Sequence, residues 1–486
     1  MKNKILTMSA FALLALSSCV ELEEKPESSL TTNQFYKSSE DAEAAVNAVY
    51  AGLNPNGQSL YRCLLQIGME MATDDYEAGP RARNAHVRAI SNLVHDPGND
   101  RMQEMWKESY DVINRANVAI DNISTNTSIP ETLRNRYVNE AKFLRALNYF
   151  NLVRWFKEVP LVLHETTSLD ASTTYVKQAT EDETYAQIIQ DLKDAEALPE
   201  SYDDANVGRV TSGAAKSLLS KVYLTHKDWE LAAEKSKEVI ASGRYDLFED
   251  FADVFALATE NGKEHIFSIQ FKGNANYISN NLAGRSAPNE IPGINGDYAD
   301  ALHLEGGLYE SYDANDKRLP VTFVTEMTSP TDGKLYQLAI PHFHKYYDET
   351  VIGNQGQSSK DVPYIRFAEV LLIYAEALNE AEGKPSAEAY TAIDRVRERA
   401  GITLLKDANP NLSQDEFREY VFEERRKELV YEFQRWFDLS RRGSDYYVQK
   451  LKASGKTSAL PKHIHFPIPQ RELDLNPNLH QLSDWE

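Results

Sequence analysis

Two cysteines in 486 residues leave no disulfide framework for an exported chain to lean on. Basic residues are also scarce, with 52 Lys and Arg against 74 Asp and Glu and a formal charge of -22. A surface field of that sign repels nucleic acid and anionic lipid headgroups. The chain has no HExxH, CxxC or GxSxG, and no Gly-rich phosphate loop, since Gly208 and Gly213 flank a segment without the required Gly-Lys pair. No apolar run beyond the N-terminus is long enough to cross a bilayer. These absences exclude disulfide-stapled modules, nucleic-acid binders and the motif-bearing enzyme classes. They leave glycoside hydrolysis open, because its two carboxylates carry no sequence signature.

What is present begins at the N-terminus. Lys2 and Lys4 precede an apolar run from Ile5 to Leu16, which has signal-peptide length and is too short to span a membrane. Leu16-Ser17-Ser18-Cys19 then resembles the lipobox of bacterial lipoproteins, in which the cysteine is acylated and becomes the mature N-terminus. Residues 1–18 therefore read as a lipoprotein signal peptide and Cys19 as the lipidation site. The acidic stretch Val20-Glu21-Leu22-Glu23-Glu24 resembles a sorting signal for the outer face of a Gram-negative cell. An acidic protein surface would not hold anionic lipid, so the acyl chains must anchor it, each buried methylene contributing about 0.8 kcal/mol. Cys63 is then most simply a small buried apolar residue.

Most of the mature chain has helical periodicity. Ala215, Leu218, Leu219, Val222 and Tyr223 share one face of a helix entered at Thr211; after His226-Lys227-Asp228, Trp229, Ala232, Ala233, Ser236 and Ile240 repeat the pattern. A short link makes the two helices antiparallel neighbours. Phe367, Val370, Leu371, Tyr374 and Leu378, then Gly383-Lys384-Pro385, then Ala389, Ala392, Ile393, Val396 and Ala400 form a second such hairpin. Helix, turn, helix with small residues at the crossing resembles a tetratricopeptide unit, whose faces are buried only by stacking. Earlier helices run through Trp106, Tyr110, Ile113 and Ala116, and from Ser128 and Glu131, a capping-box spacing, through Phe143, Leu147, Phe150 and Val153. The fold class expected is all-α dominated, with tetratricopeptide-like helix-pair repeats and an irregular loop-rich region containing short strands. Phe267, Ile269 and Phe271 alternate as a strand, and Gly, Asn and Pro crowd residues 273–296.

Irregular segments on a rigid scaffold are where binding residues gather. Two stand out, from Asp74 to Asp100 and from Gly273 to Leu304. From them we expect Tyr76, Tyr277 and Tyr298 to offer flat faces to sugar rings or apolar side chains, with Asp74, Asp75, Arg81 and His303 giving directional hydrogen bonds. The competing readings are that the tyrosines pack the loops and that Asp74-Asp75 is solvated surface or a helix cap. His342 and His344 have the i, i+2 spacing of a metal pair on a strand, but no third ligand is near, which leaves partly exposed strand histidines. Arg425, Arg426, Lys427, Arg435, Arg441 and Arg442 could form an anion site; pairing with Glu423, Glu424, Glu428 and Glu432 along a helix is the simpler reading. The helical tryptophans Trp106, Trp155, Trp229 and Trp436 read as core, so any sugar platforms must be Tyr, Phe or His. No catalytic residue, metal ligand or cofactor is expected.

The chain resembles the SusD/RagB-like outer-membrane nutrient-binding lipoproteins over nearly its whole length. The resemblance is carried by Arg145-Ala146-Leu147-Asn148-Tyr149-Phe150, Val159-Pro160-Leu161, Gly208-Arg209-Val210-Thr211, Ile365-Arg366-Phe367, Asp394-Arg395-Val396-Arg397, Glu424-Arg425-Arg426-Lys427-Glu428-Leu429, Arg435-Trp436-Phe437-Asp438-Leu439 and Phe466-Pro467-Ile468-Pro469. It implies a lipid-anchored surface protein that caps a SusC-like TonB-dependent transporter and delivers an oligo- or polysaccharide, or in some relatives a peptide, to it. Those motifs are scaffold and say nothing of the ligand. The implied organisation is a helical N-terminal part over residues 19–260, a loop-rich ligand-presenting segment over 261–361 and a helical C-terminal part over 362–486. A surface glycosidase and a purely structural repeat adaptor are the alternatives.

Overall fold

The computed structural model describes residues 35–55, 59–273, 278–295, 301–304 and 306–486. Cys19, Tyr277 and Tyr298 lie outside the described residues. Helices dominate, and the pairs arise where the periodicity places them. The helix Ser212–His226 starts at Thr211, whose hydroxyl caps the Ala214 N–H at 3.1 Å, and ends where Lys227 turns left-handed at φ 70°. The helix Trp229–Ala241 returns antiparallel and packs against it. The second hairpin, Phe367–Glu382 and Ala387–Ala400, turns at Gly383, whose φ of 70° favours a residue without a Cβ. Phe367–Glu382 packs on Trp229–Ala241 and on Gln414–Glu428, so the early and late repeats share one apolar core running from Ala42 to Leu479.

One local expectation is corrected. The helix Glu131–Phe156 has Pro130 at its N-cap with no side-chain cap, and the Ser128 hydroxyl donates instead to the Lys37 carbonyl and the Asn126 side chain. Proline at that position blocks the box. From Tyr137 onward this helix is buried nearly all round, which makes it the central rod of the N-terminal part. Trp155 and Trp436 are fully buried and Cys63 is buried, each large ring contributing roughly 1.5–3 kcal/mol.

Among the described residues the strands form four two-stranded antiparallel sheets: β1 (Tyr76–Ala78) with β5 (Ala301–His303), β2 (Val159–Pro160) with β3 (Gln178–Ala179), β4 (His265–Ile269) with β8 (Val362–Arg366), and β6 (Phe323–Thr328) with β7 (Leu335–Phe343). Every residue of β4 and β8 is buried, and β4 lies where Phe267 and Ile269 alternate.

A buried ionic frame holds the C-terminal part. Glu428, at the end of the helix Gln414–Glu428, accepts from Arg366 at 3.0 Å, Arg399 at 2.5 Å and Arg318 at 3.2 Å. Arg366 also forks onto Glu432 at 2.6 and 2.9 Å and reaches Glu264 at 2.6 Å; Arg318 reaches Asp316 and Glu424. Burial opposes the Glu428 charge, yet Arg399, Arg366 and Arg318 hold its carboxyl well below the ordinary carboxylate range. The arginines of 425–442 are thus paired, as the simpler reading has it, but mostly across elements rather than along one helix: Arg425 with Glu369 and Asp438, Arg441 with Glu376 and Asp438, Arg442 with Glu419.

A cluster of histidines lies under the C-terminal segment. His95 and His463 are 5.2 Å apart between ring centres, and His95 is 5.2 Å from Trp485, whose ring carries the Lys462 ammonium at 4.0 Å. Burial, then His463 and Lys462, push the His95 imidazole down to about 3; burial and Lys462 push His463 to about 4; burial and Lys157, against Asp484, push His465 to about 4. Neutral in the fold, these rings take up protons near pH 6.5 once unfolded. Their contribution to stability is therefore present above about pH 6.5 and lost as pH falls toward 4. We expect melting temperature to drop by on the order of a few degrees between pH 7 and pH 5. Replacing His95 and His463 together by Phe should flatten that drop, and an unchanged drop in the double variant would refute it.

Candidate functional site

The two loop segments meet. β1 and β5 pair with Tyr76 opposite His303, Glu77 opposite Leu302 and Ala78 opposite Ala301, and the Leu304 N–H donates to the Asp75 carbonyl at 3.1 Å. The sheet alternation then decides which side chains point where. Tyr76 goes inward and Glu77 outward.

The inward set corrects three of the expected ligand contacts. Asp74 and Asp75 are 3% and 1% exposed. Asp74 takes a two-pronged bond from Arg435 at 2.8 and 2.7 Å, and Asp75 accepts from Arg426 at 2.7 Å. Against the cost of burial, Arg435 pulls the Asp74 carboxyl well below its ordinary value, while burial raises Asp75 in spite of Arg426. Tyr76 is fully buried, with its ring stacked on Phe343 at 4.3 Å and 5.6 Å from Tyr431, itself stacked on Phe343 at 5.1 Å. The reason is electrostatic: guanidinium groups at positions 426 and 435 are held in the interior and require carboxylates, since an unpaired buried charge is costly. Asp74, Asp75 and Tyr76 are the floor beneath the loops and are almost wholly closed to solvent. Clamped in this way, the aspartates cannot act as glycosidase carboxylates on a bound sugar.

The outward set is charged and directional. Arg81 is exposed, and Glu290 has half its side chain in solvent. The hydrogen bond from His342 holds the Glu290 carboxyl below its ordinary value, burial opposes this, and the Arg81 charge adds to the lowering. His342 is not a partly exposed strand histidine: it is buried, with Nδ1 2.9 Å from the Ser286 carbonyl and Nε2 3.2 Å from Glu290. His344 stacks on Tyr347 at 4.6 Å, so the two histidines are engaged separately. Among the described residues no group of three or more His, Cys, Asp or Glu is placed to hold a metal ion.

The loop carrying Glu290 is fixed by a small core of its own. Ala287, Ile291 and Ile294 pack on Met327, Tyr336 and Leu338 of the β6–β7 hairpin, and the Ser329 hydroxyl donates to the Pro292 carbonyl at 2.8 Å. Arg81, Glu77 and Glu290 thus stand on anchored backbone, able to donate to and accept from the hydroxyls of a polar ligand. Arg81 is exposed, as the sequence leads one to expect of it, whereas little in the sequence marks Glu290. Its only signal was the turn-rich run Pro288-Asn289-Glu290-Ile291-Pro292-Gly293.

Comparison with known proteins bears on the same features. A family model described as the SusD family matches residues 321–485, and one described as starch-binding, associating with the outer membrane, matches residues 22–224. The chain is 32% identical to SusD-like protein P2 of Formosa agariphila, covering 96% of both chains. It superposes on the crystal structure of a SusD homolog from Bacteroides thetaiotaomicron with a TM-score of 0.81 at 25% identity, covering 93% of this chain and 98% of that one. A laminarin-binding SusD-like protein superposes with a TM-score of 0.77 at 26% identity, covering 92% of this chain and all of the other.

Proposed function

The chain belongs to the SusD/RagB-like family, and on that premise we propose that it is a cell-surface lipoprotein that binds an oligo- or polysaccharide. It passes the ligand unchanged to a partner TonB-dependent transporter in the outer membrane. The observation that carries this reading is full-length kinship with SusD-like proteins, among them one that binds laminarin. Acylated Cys19 supplies the anchor, the acidic residues after it direct the protein outward, and the segment 261–361 presents much of the ligand surface.

The ligand lies where the two loop segments join, above the Asp74–Arg435 and Asp75–Arg426 floor. Arg81 and Glu290 make the directional bonds, and Tyr277 and Tyr298 serve as stacking platforms. Buried charge pairs suit such a floor, because a surface that does not rearrange loses less entropy on binding. Laminarin is the first ligand to try. Calorimetric titration of Tyr298→Ala and Arg81→Ala should show affinity falling about tenfold for each, close to 1.4 kcal/mol, with melting temperature nearly unchanged. Wild-type affinity in both variants would move the site elsewhere, and a large fall in melting temperature would make these residues packing elements.

A further inference from the structure

A cleft of about 300 Å³, sharing no lining residue with the β1–β5 junction, opens where the connection before Ser212–His226 crosses β4. That volume is at the small end of the range for ligand sites, about 300–1,000 Å³. It would take one or two sugar rings and no polymer.

The cleft is rigid by construction. Tyr202 and Tyr245 line it, and both hydroxyls are already tied to the protein, Tyr202 to the Val210 carbonyl at 3.0 Å and Tyr245 to the Thr211 hydroxyl at 3.1 Å. Tyr245 lies so close to Gly213 that a Cβ there would fall 2.4 Å from the tyrosine hydroxyl, so glycine is required for the ring to sit as it does. Rings whose hydroxyls are engaged have mainly carbon surface left to offer, which is what the C–H faces of a sugar stack on. Asn206 and Asn261 are locked likewise, into Asp203 and Arg209 and into Gln270.

The charged groups at the mouth are freer. Arg244 is 39% exposed and only 3.6 Å from Glu200, itself 76% exposed; that separation is too long for a good hydrogen bond. Lys263, two positions beyond Asn261, is exposed. Two cations face one loosely held carboxylate, on a chain whose formal charge is -22. A local excess of positive charge against that background favours an anion.

The geometry points to a second ligand site here, for an acidic sugar unit: Arg244 and Lys263 receive its carboxylate or sulfate, and Tyr202 and Tyr245 receive the ring. None of its lining residues falls in the two loop segments, 74–100 and 273–304. It would hold a charged unit of a glycan whose main chain is engaged elsewhere, raising avidity without a new partner.

The test is an NMR titration of the full chain with digalacturonate, with a sulfated disaccharide and with neutral cellobiose at equal concentrations. At least one acidic disaccharide should bind at least tenfold more tightly than the neutral one, and which acid binds identifies the group received. The double variant Arg244→Gln/Lys263→Gln should abolish the preference at unchanged melting temperature, while Arg81→Ala leaves it intact. Equal binding of acidic and neutral sugars, no saturable binding of either acid, or a preference that survives in the double variant would each overturn the proposal. Loss of the preference in Arg81→Ala would overturn its independence from the loop site.

Discussion

Glu428→Ala should cost at least the 3–5 kcal/mol typical of removing one partner of a buried ion pair. The side chain is fully buried and accepts from three guanidinium groups, on Arg318, Arg366 and Arg399. Its loss takes one acceptor from each of the three buried guanidinium groups and leaves Arg399 only its 3.2 Å bond to Glu264. Against a typical total stability of 5–15 kcal/mol, that is enough to empty much of the folded state. Glu419→Ala is the matched control, because Glu419 pairs with Arg442 near the surface and such pairs contribute about 0–1 kcal/mol. Urea titration of both variants measures the difference. Equal midpoints would show that the ionic frame does not hold the fold.

Cys19→Ala should move the protein from the membrane fraction to the soluble fraction completely, with no change in folding. The surface is acidic, and no helix among the described residues is long and apolar enough to cross a membrane. Apart from the proposed transporter, the proposed acyl chains then supply the attachment, each buried methylene contributing about 0.8 kcal/mol. Partition after fractionation of cells that express the variant without the partner transporter reads this directly. Retention at the membrane would contradict the lipoprotein reading.

The helix pairs were legible because their information is local. Ala215, Leu218, Leu219, Val222 and Tyr223 lie within two turns, and Thr211 and Gly383 mark their ends in the sequence. The ionic frame was not legible, because pairing rules reach three or four positions along a helix. Asp74 and Arg435 are 361 residues apart, and Asp75 and Arg426 351. The same distance hid the role of the loop residues. Asp74-Asp75-Tyr76 has the polar look of a binding loop, and only the arginines and aromatic rings of the C-terminal part turn it inward. β4 shows the effect on a smaller scale: its alternation was visible, but β8, which pairs with it, lies about a hundred residues on. The exposure of Arg81 is legible from its polar, turn-rich surroundings. Glu290 was missed because its anchor, His342, is remote in sequence.

The central claim is that this chain holds a glycan and does not cleave it. The direct measurement is a titration of the purified full chain against a panel of oligo- and polysaccharides, with release of reducing ends followed in the same samples. The account predicts saturable binding of at least one glycan with no new reducing ends over the course of the experiment. Steady release of reducing ends, or no binding across a panel that includes the glycans degraded by its host, would contradict it.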